Sequence, residues 1–412
     1  MSIDAKMAWR NIWRNKRRTL LTIGAITFAG LLLVFMLSFQ FGSYETMINT
    51  SVTIQTGHLQ IQAQAYHEKP NIRYVISNPE KIAGIVEKIP QIAAFTDRGQ
   101  NFSLISSENR TCGALVTGID PERESRVSRL KSLVRQGTFL AEDDTNQALV
   151  GRLLARNLRV GIGDELTILG QGRDGSIAAT VVEIKGIFNS GIDDFDRASI
   201  QIPLKTFQEV YDMNGAIHEL VIIANSLSDV DPIKKTLQAE LSTLNTGNDL
   251  AILDWNELMP GLRQSIEMDL ISGLIFYLLL VVVVAFSISN TFLMAIFERT
   301  REFGMLMAIG TSPGRLTKVL LIESMSMTGI GIAGGIIIGC LLTLYFQVHG
   351  VDISGASELL SQFGITGRIY PRLSWISAIS GPLAVLIITF LAALYPALKV
   401  QRMKPVEAMR AV

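Results

Sequence analysis

The sequence contains few of the residues from which catalytic and metal sites are usually built. Two cysteines and four histidines occur in 412 residues, and the histidines lack the spacing of a metal site. Cys112 falls in a mixed polar region and Cys340 in an apolar run, so no disulfide framework is expected. The phosphate-loop pattern G-x-x-x-x-G-K-[ST] does not occur, and no Ser–His–Asp or Cys–His signature is visible. These absences predict a non-catalytic chain that binds no metal and no nucleotide.

Charge is also missing, or nearly so, from four long apolar runs. These runs lie between Arg18 and Glu45, between Asp269 and Glu298, at 319–346 and at 375–398. At about 1.5 Å per residue, each can cross a hydrocarbon core of ~30 Å. A central charge costs roughly 2.5–3.5 kcal/mol, so the runs predict four transmembrane helices. The one charge inside them, Glu323, is predicted to be an interfacial carboxylate that reaches the lipid headgroups, with a functional role as the alternative.

Lysine and arginine concentrate on one side of these runs. They cluster before the first run, between the second and third, and after the fourth. Basic segments stay in the cytoplasm, so both termini and the segment between the second and third runs are predicted to lie inside. The region between the first two runs is acidic and is predicted to lie outside. The first run is too long for a cleaved signal peptide and is expected to remain as an anchor.

The predicted fold is an α-helical membrane protein with four transmembrane helices and a large α+β extracytoplasmic domain between the first and second. The α+β assignment rests on short alternating runs such as GHLQIQA at 57–63, mixed with helical patterns, and favours mostly local hairpins. The predicted segments are a cytoplasmic amphipathic interfacial helix 1–18, transmembrane helix 19–44, extracytoplasmic α+β domain 45–268, transmembrane helix 269–297, cytoplasmic amphipathic helix 298–314, transmembrane helix 317–346, extracytoplasmic loop 347–374, transmembrane helix 375–398 and cytoplasmic tail 399–412.

The segment 298–314, here called the coupling segment, is both charged and amphipathic. Its sequence ERTREFGMLMAIG begins with alternating charges and continues with apolar residues at helical spacing, until Gly310 ends the pattern. An amphipathic helix held between two spans can present an apolar face to a soluble partner; the alternative is a loop that only connects them. The candidate contact residues are Glu298, Arg299, Arg301, Glu302, Phe303, Gly304, Met305, Leu306, Ala308, Ile309 and Gly310.

Two further sets of residues within the spans are candidates for function or packing. Gly331, Gly335 and Gly339 are spaced by four and predict close contact with another helix. Aromatic residues are candidates to face an acyl-chain substrate, although ordinary lipid-facing or packing positions are the alternative. They are Phe28, Phe35, Phe39, Phe276 and Tyr277.

Two loops in the extracytoplasmic region resemble ligand sites only superficially. The segment 170–175, GQGRDG, lies between strand-like runs and opens no helix, so a hairpin turn is predicted in preference to a nucleotide site. Asp193, Asp194 and Asp196 do not match the spacing of a calcium loop and are predicted to form a solvated turn.

Three segments resemble the FtsX-like permease superfamily of ABC transporters. They are MAWRNIWRNKRRTLLT at 7–22, ERTREFGMLMAIGTSPGRL at 298–316 with Glu323 beyond it, and YPALKVQRMKPVEAMR at 395–410. The order of one span, a large external domain and three spans is similar too. Length, topology and the early GHLQI strand most resemble the LolC and LolE lipoprotein-releasing type, and the external domain is similar to that of MacB.

This resemblance implies a mechanotransmission permease of the bacterial inner membrane that extracts lipoproteins or another amphiphile from the outer leaflet. The implied partners are a cytoplasmic LolD-like ATPase dimer, a second permease copy or homologue, membrane lipids, a lipoprotein substrate and a periplasmic carrier, with no nucleic acid. ATP and Mg²⁺ would be used by the ATPase. The turn at 170–175 is a candidate for the carrier-binding hook. Alternatives are an FtsX-like subunit that activates a periplasmic cell-wall hydrolase and a MacB-like efflux permease.

Overall fold

A computed structural model describes residues 3–243, 249–352 and 368–401. The predicted carboxy-terminal tail from residue 402 onward and most of the loop 347–374 therefore lie outside the described residues. The described helices, in chain order, are α1 (Ile3–Ile12), α2 (Lys16–Ser51), α3 (Gln64–Glu68), α4 (Pro79–Val86), α5 (Pro121–Val127), α6 (Leu130–Leu133), α7 (Arg152–Leu158), α8 (Asp193–Arg197), α9 (Leu204–Val210), α10 (Val230–Thr243), α11 (Trp255–Leu258), α12 (Pro260–Glu298), α13 (Thr300–Ala308), α14 (Pro313–His349) and α15 (Trp375–Gln401).

The described strands alternate with the shorter helices. They are β1 (Leu59–Ala63), β2 (Ile92–Ser106), β3 (Thr111–Ile119), β4 (Val134–Gly137), β5 (Gln147–Gly151), β6 (Glu165–Gln171), β7 (Ile177–Phe188), β8 (Ser199–Pro203), β9 (Glu219–Ala224), β10 (Leu250–Asp254), β11 (Val351–Asp352) and β12 (Arg368–Ile369). The chain divides into two units. Among the described residues, the helical unit comprises 3–44, 265–352 and 368–401, and the sheet unit comprises 45–243 and 249–264.

Four helices in the described part of the chain are long and apolar enough to cross a membrane. They are the continuous stretch Ile3–Thr56 that contains α2, then α12, α14 and α15. This confirms the predicted fold class of four spans with an α+β domain between the first two. Long helices form here because their uncharged apolar runs contain few interruptions, and Pro313 stands at the first position of α14, where its missing N–H costs nothing.

The glycine row of α14 lies against α2. A Cβ atom on Gly335 would sit 2.9 Å from the carbonyl oxygen of Thr27 and 3.0 Å from the Cα atom of Gly30. A Cβ on Gly331 or Gly339 would likewise approach α2 to within 3.0 Å. The hydroxyl of Thr27 donates a hydrogen bond to the carbonyl oxygen of Gly331 (3.1 Å). The small residues therefore allow the two backbones to approach closely.

The sheet unit is built around one mixed sheet. Its strand order is β10-β1-β9-β2-β3-β8-β5-β7-β4, and β6 pairs with both β2 and β7. Local hairpins join β2 to β3 and β6 to β7, but β3 pairs in parallel with β8, and β5 in parallel with β7. The expectation of mostly local hairpins was therefore wrong, because alternation identifies the two faces of a strand but not its partner.

The entry and exit strands of the sheet unit pair with each other. Leu59, at the start of β1, lies opposite Asp254, at the end of β10. Between α2 and β1 the chain makes a π-helical turn, Val52–Thr56, and Gly57 then takes a φ of 69°. A side chain at Gly57 would meet Val221 at 2.5 Å, so the turn is fitted closely to the sheet. The ends of α2 and α12 are thus attached to neighbouring strands.

Candidate functional site

The coupling segment forms a short helix between two long ones. Arg299 separates α12 from α13, and Gly310, with a φ of 104°, separates α13 from α14. Phe303 is 3% exposed and packs with Met307 in an apolar cluster inside the helical unit, whereas Met305 and Ile309 are 48% and 84% exposed. The apolar residues are therefore divided between an inner face, which holds α13 in place, and an outer face that a partner can contact.

Basic side chains next to the first span hold the acidic side of this segment. Arg14 forms a forked contact with Glu302 (3.0 and 3.1 Å), and Arg18 contacts Glu298 at 2.9 Å. Partial burial raises the pKa of Glu302, but its hydrogen bonds and ion pairs with Arg14 and Arg299 lower that pKa by a larger amount. The pKa of Glu302 is therefore below its usual value. The amino-terminal basic cluster thus binds its own chain.

Glu323 is not the interfacial carboxylate that was predicted. It is 3% exposed, and its Oε2 atom lies 3.3 Å from Nη1 of Arg299. A buried carboxylate requires such a partner, since desolvation of an unpaired charge is costly. Position within an apolar run shows that a charge is unusual there, but it does not identify a partner 24 residues away.

An apolar cavity of about 450 Å³ lies between α2 and α12 within the helical unit. Its lining residues are Ala25, Phe28, Ala29, Leu32, Leu279, Leu280, Val283, Val284, Ser287 and Ile288. The volume is in the range of small-ligand pockets, and Ser287 contributes the only polar side chain to this lining. The chemistry suits a hydrocarbon chain and offers little to a polar molecule.

The five aromatic candidates occupy different places. Phe28 lines the cavity. Phe35 instead packs against Phe39 and Phe346, with ring centroids 6.3 and 5.7 Å away. Phe276 is 70% exposed on α12, and the hydroxyl of Tyr277 donates to Oε1 of Gln40 at 2.7 Å. The position of an aromatic residue within a span does not distinguish these roles, because helix packing decides whether its side chain contacts the cavity, another helix or the exterior.

The two loops of the sheet unit have structural roles. The segment 170–175 lies at the β6–β7 hairpin, as predicted, where the Gly172 N–H donates to the Ser176 carbonyl (2.9 Å). The aspartates belong to α8, and Asp196 is fully buried with its Oδ1 accepting from the Ser190 hydroxyl at 2.7 Å, so the predicted solvated turn is wrong for Asp196. Residues 3–243, 249–352 and 368–401 contain no grouping of three or more potential metal ligands.

A buried polar cluster, which sequence reasoning missed, lies where the π turn meets the sheet. Arg98 and Glu124 form an ion pair at 2.7 Å with both side chains at most 4% exposed, and Arg98 also donates to the carbonyl oxygen of Gln55 in the π turn. Glu219 accepts from Gln100 (2.9 Å), and burial raises its pKa to about 7. The sequence feature that could have indicated this cluster is the presence of a charged residue, Arg98 or Glu219, in each of two segments that otherwise favour β-strands.

Comparison with known proteins supplies the wider relationships. The family model of the MacB-like periplasmic core domain matches residues 19–240, and that of the FtsX-like permease C-terminal matches residues 274–405. The chain is 24% identical over 332 residues to the lipoprotein-releasing system transmembrane protein LolC of Xylella fastidiosa (strain 9a5c), covering 78% of each chain. It is 24% identical over 427 residues to the uncharacterized ABC transporter permease YknZ of Bacillus subtilis, covering 99% of this chain and 98% of that relative.

Among solved structures, the chain is similar to the crystal structure of the periplasmic region of MacB from Actinobacillus actinomycetemcomitans. The alignment covers 52% of this chain and 94% of the MacB chain, at 16% identity and a TM-score of 0.38.

Proposed function

Because this chain belongs to the FtsX-like permeases with a MacB-like periplasmic core domain, we propose that it extracts lipoproteins or another amphiphile from the outer leaflet of the bacterial inner membrane. As an ABC transporter permease it is a non-catalytic membrane subunit. The energy comes from a separate ATPase that uses ATP and Mg²⁺. Both termini and the coupling segment are assigned to the cytoplasm, and the sheet unit to the periplasm.

The apolar cavity between α2 and α12 carries this proposal. An amphiphile has a hydrocarbon part that must be held apart from bulk lipid before it can leave the membrane. The cavity is lined almost wholly by aliphatic and aromatic side chains and is formed by the first two spans. Any movement of α2 relative to α12 changes its volume directly, so it can bind a chain in one state and expel it in another.

The coupling segment is the proposed contact with a LolD-like ATPase dimer. Met305 and Ile309 present the exposed apolar surface, while Phe303 and the Arg299–Glu323 ion pair attach the segment to the rest of the helical unit. A displacement of the segment is therefore passed to α12 and α14. The π turn and the paired strands β1 and β10 receive the far ends of α2 and α12 in the sheet unit.

Two copies of a permease, or this chain with a homologue, would complete the transporter. A periplasmic carrier would receive a lipoprotein cargo, and the β6–β7 hairpin is the proposed contact for it. Its turn includes Gly175, which takes a φ of 94°.

Reconstitution tests the proposal. The chain and its ATPase are placed in proteoliposomes with a fluorescent lipopeptide, and the lipopeptide that appears in solution with an acceptor is measured. ATP-dependent release, absent with a hydrolysis-deficient ATPase, is expected. Lipopeptide that stays in the membrane, together with ATP-dependent activation of a cell-wall hydrolase, would instead identify a regulatory subunit. Export of a soluble drug without release of lipopeptide would identify an efflux permease.

A further inference from the structure

Four polar side chains join α2 to α12 beyond the outer rim of the cavity. The phenol of Tyr44 donates to Oδ2 of Asp269 at 2.6 Å, and the amide nitrogen of Gln40 lies 3.3 Å from the same oxygen. That amide also donates to the Tyr44 oxygen (2.6 Å), while its own oxygen accepts from Tyr277 (2.7 Å). These residues are called the outer cluster.

The outer cluster continues the two helical stripes that line the cavity. On α12, Asp269, Gly273, Tyr277, Leu280 and Val284 follow one another at spacings of three or four, which keeps them on one face. A Cβ on Gly273 would lie 2.6 Å from the Gln40 amide nitrogen, so the two helices approach closely at this level.

The stripe on α2 has the same character. Ala25, Ala29, Leu32, Met36 and Gln40 repeat at spacings of three or four. Three of these residues line the cavity, and Gln40 belongs to the outer cluster. Apolar lining and polar rim are therefore parts of one surface.

Asp269 is the acidic residue of this rim, and it forms no ion pair within the part of the chain that the structure describes. Its hydrogen-bond partners within the described ranges 3–243, 249–352 and 368–401 are a phenol and a carboxamide, both neutral. Asp269 ends the charge-free run of α12, so it stands at the depth of the lipid headgroups, and its side chain is exposed. A cationic ligand group can therefore reach it.

We propose that the outer cluster recognises the free amino group of an acylated peptide whose hydrocarbon chains occupy the cavity. A primary ammonium has three donors. Asp269, the Tyr44 oxygen and the Gln40 oxygen are acceptors close to one another, and charge-assisted bonds to a carboxylate are roughly twice as strong as neutral ones. An anionic headgroup would instead be repelled. This inference rests on the proposed function and narrows its cargo to amphiphiles with an amine.

Two matched probes test the inference on the intact complex of the chain with its ATPase. One is a fluorescent diacylated lipopeptide with a free amino group on the acylated residue, and the other is its N-acetylated analogue. Wild-type protein is expected to bind the free-amine probe roughly tenfold more tightly. Asp269→Asn should reduce that affinity to the level of the acetylated probe, whose own affinity stays unchanged. Asp269→Glu should retain the preference, and Asp194→Asn, at an exposed site on α8, should have no effect.

The remaining outcomes separate the possible errors. Equal binding of both probes by wild-type protein, or an equal loss of both in Asp269→Asn, contradicts amine recognition while leaving the proposed function intact. Failure of both probes to bind contradicts the proposed function and this inference with it. Displacement of the free-amine probe by excess phosphatidylethanolamine, but not by phosphatidylglycerol, would reassign the outer cluster to a lipid headgroup and overturn its assignment to cargo.

Discussion

Arg299 and Glu323 form a buried ion pair in the helical unit, with Nη1 and Oε2 separated by 3.3 Å. The guanidinium also lies over the ring of Phe303, 5.2 Å from its centroid. One side chain therefore connects the junction of α12 and α13 both to α14 and to the inner face of the coupling segment. This arrangement fixes the corner at which α13 meets α12 and α14.

Removing one member of this pair should destabilise the helical unit strongly. Glu323→Ala leaves Arg299 paired with the exposed carboxylate of Glu302 at 3.3 Å, and loss of the buried half of its pairing should cost up to about 3–5 kcal/mol. The double variant Arg299→Met with Glu323→Leu removes both charges and should recover most of that loss. Unfolding in detergent, followed by tryptophan fluorescence, measures both. Equal stability of Glu323→Ala and wild type would contradict the importance of the pair.

The outer face of the coupling segment should be required for ATPase binding but not for folding. Ile309→Asp, or Met305→Asp, places a charge on an exposed apolar surface and should abolish co-purification with the ATPase while membrane insertion continues. Val348→Asp is the matched control, because Val348 is exposed at the opposite end of α14. Undiminished co-purification of Ile309→Asp would place the ATPase contact elsewhere.

Contact between α2 and α14 should be sensitive to a single methyl group. Gly335→Ala would introduce a Cβ 3.0 Å from the Cα atom of Gly30, and overpacking of this kind costs roughly 1–3 kcal/mol. Gly329→Ala in the same helix meets nothing within 4 Å and should not destabilise the protein. The two melting temperatures in detergent are compared. A loss of similar size in both variants would indicate an effect of glycine on the helix itself and not on packing.

The buried cluster of the sheet unit should make stability depend on pH. Burial raises the pKa of Glu219 from 4.5 to about 7, so between these values the folded state keeps a proton that the unfolded chain has released. Its stabilising contribution is complete below about pH 4.5 and is lost as the pH rises to about 7. Glu219→Gln, which stays neutral, should therefore gain roughly 3 kcal/mol relative to wild type above pH 7.

Two buried histidines act in the opposite direction and supply a check on this prediction. Burial lowers the pKa of His58 and of His218 from 6.5 to about 4, so their contribution to stability is lost as the pH falls between these values. In Glu219→Gln, stability should consequently fall more steeply on acidification from pH 6.5 to 4.5 than it does in wild type. Glu165→Gln, at an exposed site, is the control, and identical pH profiles for all three proteins would show that Glu219 is ionised in the folded state.

The parts of the structure that follow from local sequence were predictable, and those that depend on distant partners were not. Uncharged runs identify membrane helices because the cost of a buried charge is local. The glycine row could be assigned to packing, although its partner helix could not be named. The partner of Glu323, Arg299, lies outside the helix that contains Glu323. The strand that pairs with a given β-strand depends on the topology of the sheet. Neither the ion pair nor the strand pairing could therefore be predicted from local sequence. The outer cluster joins residues more than 200 positions apart, such as Tyr44 and Asp269.

The central claim is that a displacement begun at the coupling segment reaches the sheet unit through α2 and α12. Hydrogen–deuterium exchange of the chain in complex with its ATPase tests it most directly, by comparing the nucleotide-free state with an ATP-trapped state. The account predicts altered protection at Val52–Thr56 and Trp255–Leu258, the segments that join the long helices to the sheet, and no alteration in Ile309→Asp. Identical exchange at both segments in the two states, in a complex that still releases lipopeptide on ATP addition, would contradict it.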